Sequence, residues 1–562
     1  TIGRRHFGRT ILRVTINSEA YQARLEAIRQ TQMSLANEGA GEAPADHPVV
    51  IQLTHGVHGS EPSGYDSSKL ILYHLAAGQS AEHERMLEET VVHLVVMINP
   101  DGANRFGQWT NLHHAQAPVA DPQHREHFYE WPWGRTNHYW FDINRQWVPV
   151  TQPEAVALVN ATHDWLPNIA VDLHEMGTNS TYFFSPGPTD GLHPLLSQDA
   201  LQLNLDMNET IAEQLDGEGA VYVTEEVFDD FYLGYGSSYP GLIGSVPYLF
   251  EQSSTRGILQ ESEFGIKRYD DQVGQQARVA LSLISSGQAR RTDLQAHTRN
   301  FFNESREMAS DSPVSGYLIS SNDHGRMADF LEMLSVHRIE VRGLTQDVRQ
   351  GGRTYEAGDA FYIPTRQNTY RVIEGLFETR IITDKAEFYD VSGWTQPLAW
   401  DIDYTPVRGR GVSSNALGDA VVDFDRSAQV PDRTPYVYVM EWDSYYAPRA
   451  LYRLLDAGVR ARVIPDETTI ETTRGPVDPG RGAIMVQVAG QEVSADEIHA
   501  MIVRAASEDS VTVHAVTSGI TSRGSDIGGF ALSNVERPDL LLVTGRGISM
   551  NDAGELWLLL DF

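Results

Sequence analysis

The 562-residue sequence contains no cysteine, which removes disulfides, thiol nucleophiles and cysteine-ligated zinc sites together. Lysine is nearly absent: Lys69, Lys267 and Lys385 stand against 40 arginines. Acid-rich, lysine-poor surfaces suit a salty environment, and a GC-rich genome produces the same skew. With 76 Asp and Glu the formal charge is −33, a field that repels polyanions and excludes nucleic-acid binding as the main role. No run approaches the ~18 consecutive apolar residues of a membrane span. What is present is 41% hydrophobic residues and 9% aromatics, enough for packed cores and too much for a disordered chain. At roughly 100–200 residues per domain, the length predicts about three domains.

Apolar runs of strand length lie at 48–54 (PVVIQLT), 91–98 (VVHLVVMI), 169–173 (IAVDL) and 246–250 (VPYLF). Helical patterns intervene at 18–36, 64–77, 152–165 and 193–216, and a polar helix is predicted over 270–308. Short buried strands alternating with helices predict an α/β domain over 1–305, with a largely parallel sheet covered on both faces. Beyond it an internal repeat appears. The segments from Tyr317 and from Tyr436 each read strand, helix, strand, and a further strand (AFYIP, AIMVQ) and a helix follow. The spacing predicts two related small α/β domains, 312–430 and 433–535. Residues 536–562 read as a strand, a glycine-bearing turn and a helix. A lone β-α piece cannot bury both faces, so this segment is expected to begin a further, truncated domain.

The chemistry-bearing motif is His55-Gly-Val-His-Gly-Ser-Glu61, directly after the first strand. His58 and Glu61 form an H-x-x-E pair whose spacing lets imidazole and carboxylate converge on one side of a turn, a donor set zinc accepts. On a surface helix the same pair is merely solvated polarity. His174 ends the strand IAVDLH, Glu251 ends VPYLF, and Asn99-Pro-Asp-Gly102 follows VVHLVVMI. Four strands thus deliver polar groups to the carboxyl edge of one sheet, where open α/β sheets bind ligands.

These residues resemble those of the zinc carboxypeptidases of the carboxypeptidase A family across about residues 45–260. The resemblance implies a zinc-carboxypeptidase-like mixed sheet with helices on both faces. It also implies one zinc ion per chain, held by His58, Glu61 and His174. Glu251 becomes the general base, with Glu175 the rival that strand alternation sends to the opposite face. Arg135 is the expected oxyanion partner and Arg105 the alternative. The Asp142-Ile-Asn144-Arg145 block supplies Asn144 and Arg145 for a substrate's terminal carboxylate. Tyr232 is favoured over Tyr235 and Tyr239 as the tyrosine that closes over substrate. Asp172, two residues before His174, is a candidate to orient that ring.

Asp229 and Asp230 could favour a basic substrate side chain, but on a chain with 76 acids they read as surface charge. His113, His114, His124, His127 and His138, with Trp131 and Trp133, read as a rim loop rather than a second metal site. The glycine-rich GRGV and SRGSDIGG segments fit no phosphate-binding setting. The resemblance predicts a metallocarboxypeptidase acting on peptides with a free C-terminus. The alternatives are an amidase, deacylase or peptidoglycan stem-peptide hydrolase on the same fold, or a non-catalytic binding module. Zero cysteine, acidity and peptidase chemistry together predict a periplasmic or secreted protein, with the cytoplasm of a salt-adapted cell as the alternative. The sequence does not give an oligomeric state.

Overall fold

The computed structural model describes residues 1–6, 8–379 and 395–561. Its first domain is built on seven strands: β1 (Arg13–Ile16), β2 (Val49–His55), β3 (Thr90–Val95), β4 (Ile169–Met176), β5 (Tyr182–Phe184), β6 (Tyr222–Val223) and β7 (Val246–Ser253). Across the sheet they run β1-β3-β2-β4-β7-β5-β6. The four inner strands are mutually parallel, while β1 and β5 run antiparallel to their inner neighbours. The sheet is therefore mixed, as the family resemblance implied, and not simply a parallel one. The short edge strands lack the long apolar runs that mark the inner four. Every residue of β2 is buried, as expected of a strand covered on both faces. Truncating Leu53, with no exposure at all, to alanine should cost about 2–5 kcal/mol.

The helices of this domain include α1 (Leu25–Ser34), α2 (Pro62–Ala77), α3 (Pro100–His113), α4 (Pro153–His163), α5 (Gln198–Glu218), α6 (Tyr269–Ala289) and α7 (Arg291–Asp311). Pro sits in the first turn of α2, α3 and α4, where its missing N–H costs nothing. The single polar helix read over 270–308 is two helices, α6 and α7, broken where Arg290 leaves helical geometry.

The two following units share one plan. In the first, strands β8 (Val314–Ser320), β9 (Arg342–Leu344), β10 (Ala360–Pro364), β11 (Asp403–Arg408) and β12 (Leu417–Ala420) are ordered β11-β8-β10-β9-β12. Helices α8 (His324–Val336) and α9 (Tyr370–Phe377) follow β8 and β10. In the second, β13 (Val437–Met440), β14 (Ala461–Val463), β15 (Ile484–Gln487), β16 (Val513–Val516) and β17 (Ser533–Val535) are ordered β16-β13-β15-β14-β17, and a hairpin of Ile470–Thr472 and Gly475–Val477 extends the sheet beyond β16 to seven strands. Helices α10 (Ala447–Asp456) and α11 (Ala495–Ser507) hold the places of α8 and α9. All neighbouring pairs in both sheets are antiparallel. Strand, helix, two strands, helix, strand in spatial order 4-1-3-2 is the split βαβ arrangement of ferredoxin-like domains, here with a fifth edge strand.

The first repeat shares a hydrophobic core with the first domain: Leu195, Leu233, Tyr239 and Leu242 cluster with Phe330, Ile373 and Phe377. The second repeat meets the first through polar contacts, with the Tyr446 hydroxyl donating to Asp329 and the Tyr445 amide to Asp323. The strand expected within 536–548 is not formed; Leu540, Leu541 and Val543 are exposed. Helix α12 (Met550–Asp561) instead packs on the first domain. Its Trp557 ring lies 4.9 Å from those of both His138 and Tyr139 and 5.3 Å from that of Trp140.

Candidate active site

Three parallel strands end at one edge of the first sheet, and the candidate residues stand there. At the end of β2 the chain turns through Gly56, whose φ of 67° favours glycine. Gly59 then passes directly over the start of α3: a Cβ there would lie 2.0 Å from the Ala103 nitrogen. Glu61 precedes Pro62, so α2 begins immediately after the H-x-x-E pair. His55 is not part of the cluster, since its Nδ1 bonds the Val95 carbonyl inside the sheet.

His58, Glu61 and His174 converge, with one donor atom of each lying within 4.8 Å of the others. His58 Nδ1 is 2.8 Å from Glu61 Oε1, His174 Nδ1 is 2.8 Å from Glu61 Oε2, and the two Nδ1 atoms are 3.0 Å apart. On the far side of each ring stands a carboxylate. His58 Nε2 meets Asp142 Oδ1 at 3.0 Å, and His174 Nε2 meets Asp172 Oδ2 at 2.8 Å. Asp142 pairs with His58 Nε2 and Asp172 stands as a counter-charge beside His174 Nε2, which turns both Nδ1 atoms toward the Glu61 carboxylate. Three electron-pair donors facing one point call for a cation between them, and the His₂Glu set suits zinc. Burial works against charge at Glu61, but His58 and His174 hold its carboxyl below the ordinary value. His174 shows the reciprocal effect: against burial, Asp172 and Glu61 favour its positive form.

Glu251 on β7 pairs in register with His174 on β4. On adjacent parallel strands such partners project to the same face. Burial, reinforced by Glu61 and opposed by His174, pushes the Glu251 carboxyl up to about 8. Glu175 points the other way. Its side chain accepts from the Ser63 amide at 2.6 Å in the first turn of α2, and its own amide donates to Glu61 Oε2 at 3.1 Å. It braces a candidate ligand from behind, which separates the two rivals for the base.

Arg135 is half-exposed at the site: Nη1 lies 3.7 Å from Glu61 Oε1 and Nε donates to Asp142 Oδ2 at 2.9 Å. Its backbone carbonyl accepts from Asn99, the residue that also caps α3, so the N-P-D-G turn anchors the arginine's loop. Arg105 is committed elsewhere, donating to the Trp133, Thr136 and Asn137 carbonyls. Asn144 sits against His174 Nε2 at 3.3 Å and accepts from the Gly236 amide at 2.8 Å. The Arg145 guanidinium lies 4.7 Å over the Tyr235 ring.

Tyr232 is buried, its hydroxyl donating to the Arg145 carbonyl at 3.1 Å. Tyr239 is fully buried away from the ligands, between His163 and His337. Asp230 is not surface charge. It is buried, accepts from the Ser238 hydroxyl, and burial pushes its carboxyl up to about 7. Asp142 is the residue to which the sequence attached no role, although it opens the D-x-N-R block. Its two oxygens tie His58 to Arg135. Among the described residues the histidine-rich stretch forms no second cluster of convergent ligands.

The zinc carboxypeptidase family model matches residues 1–238. Over those residues the N-terminal domain is similar to the zinc carboxypeptidases. Among curated proteins, the probable carboxypeptidase 2 of Arthroderma benhamiae is 27% identical over 181 residues, 32% of this chain and 28% of the fungal one. Carboxypeptidase 2 of Trichophyton tonsurans is 26% identical over 234 residues, 40% of this chain and 35% of its own. The chain thus spans about a third of the length of these curated relatives. Among solved structures, a metallo-carboxypeptidase from Burkholderia cenocepacia aligns over 51% of this chain and 63% of its own. Its identity is 14% and its TM-score 0.34. The family match stops before β7, so the placement of Glu251 stands on strand register.

Proposed function

We propose that this chain is a metallocarboxypeptidase that removes C-terminal residues from peptides, with His58, Glu61 and His174 holding one zinc ion. The observation that carries the reading is the convergence of three lone-pair donors beside Glu251, in register with His174 and on its face of the sheet. When bound, zinc supplies a Lewis acid that polarises a carbonyl and acidifies water. Glu251 takes the proton of the attacking water and returns it to the leaving nitrogen. Arg135, fixed by Asp142, donates to the oxygen on which negative charge develops. Arg145 pairs with the terminal carboxylate and Asn144 supplies a further hydrogen bond. Asp172 and Asp142 hold the two imidazoles in the tautomer that leaves Nδ1 free.

The test is mass spectrometry of a peptide mixture in which each peptide is present with a free and an amidated C-terminus, with and without chelator. Stepwise loss from free C-termini alone, abolished by chelator, is expected. In Glu251→Gln we expect turnover to fall by about 10²–10⁴-fold with zinc retained. Equal cleavage of amidated peptides removes the carboxylate role of Arg145 and turns the reading to an amidase.

A further inference from the structure

The first repeat touches the segment on which Arg145 leans. Residues 231–239 are buried at Phe231, Tyr232, Leu233, Tyr235 and Tyr239, and one side of the segment faces the site. There Tyr232 bonds the Arg145 carbonyl, Tyr235 lies under its guanidinium, and the Gly236 amide holds Asn144. The other side faces residues of the repeat. Gly375 of α9 lies so close to Leu233 that a Cβ on it would sit 2.6 Å from Leu233 Cδ1. His193, whose ring packs 5.2 Å from that of Phe231, is paired with Glu378 at 2.8 Å. His337 ends α8 and bonds the Tyr239 hydroxyl through Nδ1 and the Val148 carbonyl through Nε2. Since Nε2–H donates to Val148, Nδ1 is the acceptor, the Tyr239 hydroxyl donates to it, and His163 donates to the Tyr239 oxygen. A buried arginine further ties the repeat to the first domain. Arg371 of α9, 2% exposed, bonds Glu304 and Ser305 of α7 and the Leu195 carbonyl.

We infer that the 312–430 unit is a fixed wall of the substrate site, in which Gly375, His337 and Glu378 position the 231–239 segment and, through it, Arg145 and Asn144. The inference rests on the reading of Arg145 and Asn144 as the carboxylate anchor. It gives the repeat a role in substrate capture, with its residues acting through the segment and touching no reacting atom.

Gly375→Ala and His337→Ala test it in the full chain. The first adds a methyl group that forces Leu233 aside while favouring the helix. The second removes both hydrogen bonds. In each, KM for free C-terminal peptides should rise about tenfold with kcat within about threefold, the pattern of lost ground-state binding. Zinc content should be unchanged, and hydrogen exchange of the 231–239 amides, Gly236 above all, should quicken. Folded variants with wild-type KM and wild-type exchange in this segment overturn the inference. If the wild-type enzyme does not prefer free over amidated C-termini, the anchor reading fails, and exchange alone decides whether the wall holds the segment. Should His337→Ala not fold, Gly375→Ala decides.

Discussion

The sheet of the first domain and the sheets of the two repeats use similar strands to opposite effect. In the first, β2, β4 and β7 run parallel, so their carboxyl ends lie along one edge and deliver His58, Glu61, His174 and Glu251 to one place. In the repeats each neighbour is antiparallel, so successive strand ends alternate between edges and no such convergence arises among the described residues. The polar groups of the repeats form pairwise joints instead, as with Tyr446 and Asp329. Strand direction, more than residue supply, separates a reactive edge from a structural one.

The contrast breaks most completely if a candidate ligand is removed. His58→Ala should take zinc from one per chain to near zero by elemental analysis and abolish turnover, while the fold seen by circular dichroism persists. Retained stoichiometric zinc would show that the metal binds elsewhere. Asp172→Asn acts one step back from the metal. It should weaken zinc affinity by about 10–100-fold in a competitive chelator titration, with the ligands still in place.

Asp230 sharpens the contrast through stability. Its carboxyl is raised from 3.8 to about 7 by burial, so between those values the folded chain holds a proton that the unfolded chain has lost. Its contribution is full below the lower value and disappears as pH rises through the upper. Thermal melts from pH 5 to 8 should show wild-type stability falling relative to Asp230→Asn, by about 1–3 kcal/mol in total. A parallel pH dependence in the two proteins would contradict this. Smallest of all, Tyr446→Phe should cost about 1 kcal/mol in the joint between the repeats and leave kcat/KM unchanged.

The inner strands were legible because they are continuous apolar runs, and the edge strands were not because Arg13–Ile16 and Tyr222–Val223 are too short to show a pattern. The repeat could be read as two strand-helix-strand segments, but their antiparallel pairing depends on which strand inserts between the first two, and periodicity carries no such information. At the site, the H-x-x-E pair and the residues ending strands were visible because each is an isolated polar group after an apolar run. The role of Asp142 was not, because it depends on which nitrogen of His58 turns inward. Asp230 read as surface charge for want of any sign that its loop is buried. The 540–544 run looks like a strand by composition, yet it finds no partner strand among the described residues.

The docking of α12 on the rim loop has a consequence in time. The Tyr139 hydroxyl reaches Asp561 across 422 residues of chain. At a synthesis rate of about 5–20 residues per second, that separation is roughly 20–80 s. The loop bearing Arg135 therefore emerges early and waits tens of seconds for the helix that packs on it. The rim of the candidate site is therefore closed only after both repeats have been synthesised.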